Sequence, residues 1–168
     1  MLTRAHAALA ASVLLVLAAL LAVLPATTAT AQVGERNALV TRGTVTDDFE
    51  LATVAKINKV RAAHGLRPIK RVIPCLDGLS ENWGQRMVAE GLWEHRDQSS
   101  VVSACRLSWT GETLARGNFT PASLVKMWMN SPPHRAILLT TRARLAGIDV
   151  RSGGNGQYAA VLNLGDRG

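Results

Sequence analysis

Three side chains able to transfer a proton or ligate a metal, His95, Glu112 and His134, fall in three separate segments, each beside a residue that interrupts regular structure. His95 comes shortly after Gly91, Glu112 directly follows Gly111, and His134 directly follows Pro132-Pro133. Two imidazoles and one carboxylate are sufficient for an open zinc-type site in which water takes the fourth position. The same groups could instead line a cleft for a small polar ligand, or simply cap and pack. No catalytic residue is assigned, because no nucleophile stands out: Ser131 reads as a helix cap, and Cys75 and Cys105 read as a pair. Walker loops, G-x-S-x-G elbows, H-E-x-x-H zincin motifs, heptad arrays and internal repeats are missing from the sequence.

The elements that must position these groups are legible from caps and periodicity. Thr120 as N-cap and Pro121 at the first helical position start a helix whose Leu124, Val125, Met127, Trp128 and Met129 predict burial. Pro132 forces Ser131 out of the α region, so that helix should stop at about Asn130. Ser131 then caps a short second helix carrying His134 in its first turn, where the helix dipole disfavours imidazolium. A helix expected from about Ser80, with Trp83, Met87, Val88 and Leu92 on its buried side, delivers His95 just past its end. The Ser-rich residues 96–110 read as a connection, and Gly111 to Ala115 as the start of a short helical piece carrying Glu112.

Upstream, Asp47 or Asp48 caps a helix running to about His64, with Gly65 as its left-handed stop. Asn58 lies among that helix's apolar positions and needs a buried hydrogen-bond partner; His64 reads as structural. Leu66 to Pro74 is a short connection. Near the other end the period changes: Ala146 to Ser152 and Gln157 to Leu164 are β-prone runs around Gly153-Gly154-Asn155-Gly156, the strongest hairpin signal in the chain. A two-stranded hairpin needs support, so a third strand is expected, near Cys105 to Trp109.

Of the 168 residues, the first 31 have the pattern of a secretory signal: Arg4, the apolar run Val13 to Leu24, and Ala29-Thr30-Ala31 before Gln32. The alternative is an uncleaved anchor, since Ala7 to Leu24 is nearly long enough to span a bilayer. Residues 32–46 read as a flexible lead, and 47–168 as one domain with a single core. Cleavage leaves no membrane span, and a monomer is expected. The formal net charge of +7 is scattered and barely interleaved with aromatics, which argues against a nucleic-acid groove. In an exported chain, Cys75 and Cys105 are expected to form a disulfide rather than a metal site, with two reduced thiols as the alternative.

Read together, I57-N-x-x-R61, G65-L66, W83 and H95, G111-E112-x-L-A115, W128-M-N-S-P-P-H134-R135-A-I-L-L139 and G147-I-D-V150 resemble the CAP superfamily of cysteine-rich secretory, antigen 5 and pathogenesis-related proteins, specifically its bacterial SCP-like secreted branch. The resemblance covers Phe49 to Gly165, and W-x-x-S-P-x-H-R-A-x-L-L is its specific part. It implies an α+β fold, an α-β-α sandwich with a small antiparallel sheet between helical layers. It also implies a cleft lined by His95, Glu112 and His134 that in some relatives holds zinc or another divalent ion, while other relatives bind sterols or fatty acids elsewhere. No single activity unites the family. Four features depart from its pattern: Thr113 stands for the usual Asn, Pro133 for the usual Gly, Ser131 for a second glutamate, and Gln157 for a second-motif histidine, with Ala160 at the accompanying glutamine. The site is therefore at most a triad. The expectation is a secreted or envelope-associated, non-catalytic binding protein whose partner is an extracellular ligand or cell-envelope component. A metal-assisted hydrolase of cell-wall peptide or another extracellular polymer is the first alternative, and a lipid carrier the second.

Overall fold

A computed structural model of the chain describes residues 47–153 and 156–168. The expected signal (1–31), the lead (32–46) and two turn residues, Gly154 and Asn155, lie outside these. The order of elements is α1 (Asp48–Ala63), β1 (Arg71–Val72), α2 (Pro74–Glu90), α3 (Gln98–Cys105), β2 (Trp109–Gly117), α4 (Pro121–Asn130), α5 (Pro132–Leu138), β3 (Leu145–Ser152) and β4 (Tyr158–Asp166).

The strands form one sheet in the order β1-β3-β4-β2. The β3–β4 hairpin is as expected, with Leu145 opposite Gly165 and Ser152 opposite Tyr158. The sheet is mixed, however, because Arg71 and Val72 pair in parallel with Leu145 and Ala146. These two residues lie in the stretch read as a plain connection, which two prolines made look unstructured. The third strand exists, but a few residues later than expected. Gly111 to Ala115 is not helical: it is the middle of β2, whose nine residues pair with β4 from Trp109↔Asp166 to Gly117↔Tyr158. Thr110 is a residue type that could cap a helix here, but its hydroxyl donates instead to Leu164 O of β4 at 2.9 Å, and pairing with β4 supplies the backbone groups with partners.

Helices cover both faces. On one, Ile57 of α1, Leu124 and Trp128 of α4 and Leu138 of α5 pack on Ala146, Ile148 and Leu162 of the sheet. On the other, Leu76, Trp83 and Met87 of α2 and Val101 and Cys105 of α3 pack against Leu107, Leu114, Leu145 and Val161. This is the expected α-β-α sandwich. α2 can lie close against β3 only because position 147 is glycine: a Cβ there would collide with the Leu76 carbonyl and the Asp77 nitrogen.

Caps and polar ties set the helix positions. α1 begins with a reciprocal capping box between Asp47 and Glu50, and the second oxygen of Glu50 accepts from Val150 N on β3 at 2.8 Å. Asn58 finds the partner it required, exchanging two hydrogen bonds with the backbone of Ile69 at 2.7 and 3.2 Å. Arg61 is completely buried and donates to the carbonyl oxygens of Arg67, Leu138, Thr140 and Ala143, joining the end of α1 to the end of α5. α2 starts at Pro74, earlier than the expected Ser80, because Pro74 fills the first helical position and Asp77 adds a carboxylate to the first turn. It ends at Gly91, which adopts the left-handed conformation (φ 66°). Residues 98–105, read as part of a connection, form α3, whose N-cap Asp97 accepts from Ser99 N. Cys75 and Cys105 form a disulfide, which bonds α2 to α3 across 30 residues of sequence. A loop of that length restricts the unfolded chain by about 3 to 4 kcal/mol on the loop-entropy estimate.

Candidate functional site

Glu112 lies on β2, directly opposite Asn163 of β4, on the sheet face covered by α2. Its side chain is 1% exposed. The loop Gly91–Asp97 runs beside β2, and three of its residues hold it there through four hydrogen bonds. Trp83 Nε1 of α2 donates to Glu94 O at 3.1 Å. Arg96 donates from its guanidinium to Leu79 O of α2 and from its backbone N to Glu112 Oε1 at 3.1 Å. The third residue is His95 itself, whose Nδ1 lies 2.9 Å from Glu112 Oε1. With the carboxylate as acceptor, the proton of His95 sits on Nδ1 and Nε2 is left free. The imidazole is 56% exposed, so a solvent-facing ring is hinged on a buried carboxylate.

His134 occupies the first turn of α5, after the two prolines, as the sequence indicated. Ser131 takes the N-cap position in extended conformation, but its side chain makes no capping hydrogen bond. The half-buried His134 ring has its pKa lowered, first by burial and then by the neighbouring His95. The helix dipole invoked from sequence is therefore not the leading cause. At neutral pH the ring is uncharged and has a nitrogen lone pair to offer.

The carboxylate itself is unevenly served. Oε1 accepts from two donors, whereas Oε2 is buried and has no hydrogen-bond partner among the described residues. Asn163 Oδ1, on the facing position of β4, is likewise buried without a partner, while its Nδ2 donates to Ser80 Oγ at 3.0 Å. Two acceptors lacking donors thus lie on directly opposed residues of paired strands.

The donor set, two imidazole nitrogens and a carboxylate, has the chemistry a divalent cation requires. The positions differ from a preassembled centre: among the described residues no three His, Cys, Asp or Glu side chains are grouped so as to hold a metal ion. His95 and Glu112 are hydrogen-bonded to one another, with His134 near His95.

Residues that sequence reasoning did not attach to the site are Arg96, Ser80 and Asn163. Asn163 carried a readable signal, a lone amide in the otherwise apolar strand YAAVLNLGD. Arg96 carried none, since its backbone N–H does the work.

The sequence and the fold can then be set beside known proteins. The model of the cysteine-rich secretory protein family matches residues 54–164, a span that includes all three site residues. No curated protein matches the chain. Among solved structures, an outer surface protein of Borrelia burgdorferi superposes with a TM-score of 0.66 at 18% identity, covering 74% of this chain and 96% of that one. An extracellular SCP-domain protein of Bacillus anthracis gives 0.57 at 17% identity, covering 70% of this chain and 38% of its own. A cysteine-rich secretory protein of Staphylococcus aureus gives 0.57 at 19% identity, covering 68% of this chain and 37% of its own. This chain thus spans well under half the length of the latter two, and at these identities the likeness is one of fold. Among the described residues no helix is long and apolar enough to cross a membrane. With the family model covering most of the described domain and the sandwich in place, the chain belongs to the cysteine-rich secretory protein, or CAP, family.

Proposed function

We propose that the protein is an extracellular bacterial binding protein whose cleft, formed by His95, Glu112 and His134, takes a small polar ligand or a divalent ion without transforming it. The observation that carries this reading is the carboxylate of Glu112: buried, saturated at Oε1, and without a donor at Oε2. A buried acceptor without a donor costs about 1–3 kcal/mol, which a ligand donor or a cation would recover. His134, held neutral, and the exposed ring of His95 add two neighbouring imidazoles. The disulfide fits an oxidising compartment, and two of the similar structures are described as outer-surface and extracellular proteins. The ligand in that setting is an extracellular molecule or a component of the cell envelope.

Calorimetric titration of Zn²⁺ into the full chain at neutral pH is the test of the ion. The expected result is a single site, weakened at least tenfold by His95→Ala and by His134→Ala. Absence of binding, or binding indifferent to His95→Ala, removes the ion and leaves the polar ligand to be sought.

A second reading, lipid carriage, is favoured by a groove between α1 and α4. It encloses about 370 Å³, has a floor of Val60, Ala122, Val125 and Met129, and is edged by Lys56, Lys59 and Lys126. That volume lies within the ~300–1,000 Å³ range of ligand pockets. An apolar floor under three ammonium groups suits an anionic amphiphile. Extraction of the protein from its native host, followed by mass spectrometry, decides: recovered stoichiometric lipid supports it, and lipid-free protein counts against it.

A further inference from the structure

Four residues along β2 from Glu112, Arg116 stands at a second pocket, of about 200 Å³, between the C-terminal end of α2 and the end of the β3–β4 hairpin. Met87, Val88 and Ala159 give it an aliphatic wall. The Arg116 guanidinium makes no hydrogen bond or ion pair with any described residue, which sets it apart from Arg61, Arg86, Arg96 and Arg151. Its Cζ lies over the ring of Trp93, 4.4 Å from the centroid, on the loop that also carries His95. A guanidinium held over an aromatic face keeps its N–H donors free, and it can receive a carboxylate in bidentate fashion.

The surroundings decide the sign of the ligand. No acidic residue lines the pocket. Glu90, the last residue of α2, is engaged in bidentate fashion by Nε and Nη2 of Arg86 at 3.0 and 3.1 Å. The carbonyl end of α2 carries roughly half a negative charge, which opposes an anion, but it is outweighed by the full charge on Arg116. At about 30 Å³ per water, the volume corresponds to roughly seven waters, the space of a carboxylate with a few carbon atoms.

We propose that Arg116, held by Trp93, and the aliphatic wall of Met87, Val88 and Ala159 form a binding site for a short aliphatic carboxylate, either a free acid or the terminal carboxylate of a peptide. It is independent of the His95–Glu112–His134 cleft. The two sources share the carboxylate and differ in what extends out of the pocket.

The test is an NMR titration of the full chain with butyrate, with alanyl-alanine as the peptide arm and butyramide as the uncharged control. Saturable shifts at the Arg116 Nε–H, the Trp93 indole N–H and the Ala159 amide are expected with butyrate or the dipeptide, and not with butyramide. The arm with the lower Kd identifies the source. Arg116→Gln should weaken binding at least tenfold. Because that change also frees Trp93, Val88→Phe serves as the second variant: it narrows the pocket without touching the guanidinium and should weaken binding to a similar degree. Shifts that do not saturate, that butyramide reproduces, or that survive both variants overturn the site.

Discussion

Glu112 and Asn163 face one another across two strands, each presenting a buried oxygen for which no described residue supplies a proton. Directly opposed residues of an antiparallel pair have Cβ atoms only about 5 Å apart, so one donor between them could serve both. This gives Glu112→Gln an unusual expectation. With its oxygen kept toward His95 and Arg96, the new amide nitrogen would take the place of the starved Oε2 and present its N–H₂ on the side of the one acceptor still lacking a donor, Asn163 Oδ1. We expect Glu112→Gln to stabilise the fold by about 1 kcal/mol, seen as a melting temperature several degrees higher, while weakening ligand or Zn²⁺ binding. A lower melting temperature would show that Glu112 is served in some other way. The same residue pair shows where sequence reading stops. Glu112 stands out in the sequence as a candidate, but its place on a strand rather than a helix, and Asn163 opposite it, follow only from the strand register.

Among the elements, α5 carries His134 and is held at its far end by Arg61, whose guanidinium serves Leu138 O and Thr140 O. Four carbonyl oxygens lose a donor if this side chain is removed, and two of the bonds, to Leu138 O and Ala143 O, are buried. Arg61→Ala is therefore expected to cost about 3 kcal/mol or more, and Arg61→Lys to recover little, since one ammonium cannot reproduce a fork reaching four carbonyls. Urea denaturation of the two variants measures both, and a lysine variant as stable as wild type would refute the fork argument. Helices with a cap and a stop, such as α1 and α4, were read from sequence to within a residue or two. α2 was started six residues late, and α3 and β1 were missed. Helix α3 is eight residues long and mostly Ser, Val and Ala, and β1 is two residues long; their pairing and packing partners lie far away in sequence. No local pattern encodes such elements.

At the scale of the molecule, the pH dependence of stability follows from Glu50, at the start of α1, and from His134 on α5. Burial raises the pKa of Glu50 from 4.5 to about 7, against the lowering effect of its two backbone hydrogen bonds. Between those values the folded chain retains a proton that the unfolded chain has lost, so stability falls as pH rises from about 4.5 to about 7 and levels off above. His134 acts in the opposite sense: its lowered pKa makes folding less favourable as pH falls below 6.5. Thermal melts from pH 4.5 to 8 should show a downward slope with rising pH that flattens in Glu50→Gln and steepens in His134→Ala. Unchanged slopes in both variants would place the titrating groups elsewhere. The sandwich and the disulfide are legible in the sequence, because they rest on caps, family-specific spacing and cysteine count. The parallel edge of the sheet is not, because it depends on the tertiary path of a two-residue segment.

The strand order has a kinetic consequence. β4, the last element in chain order, is an inner strand, and both β2 and β3 pair with it. A chain emerging from its N-terminal end can form its helices early, but β2 has no partner until residues 158–166 arrive. Pairing of β2, and with it the placing of Glu112 against α2, must therefore wait until residues 158–166 are available, and until then the nine-residue β2 is an unpaired strand open to intermolecular pairing.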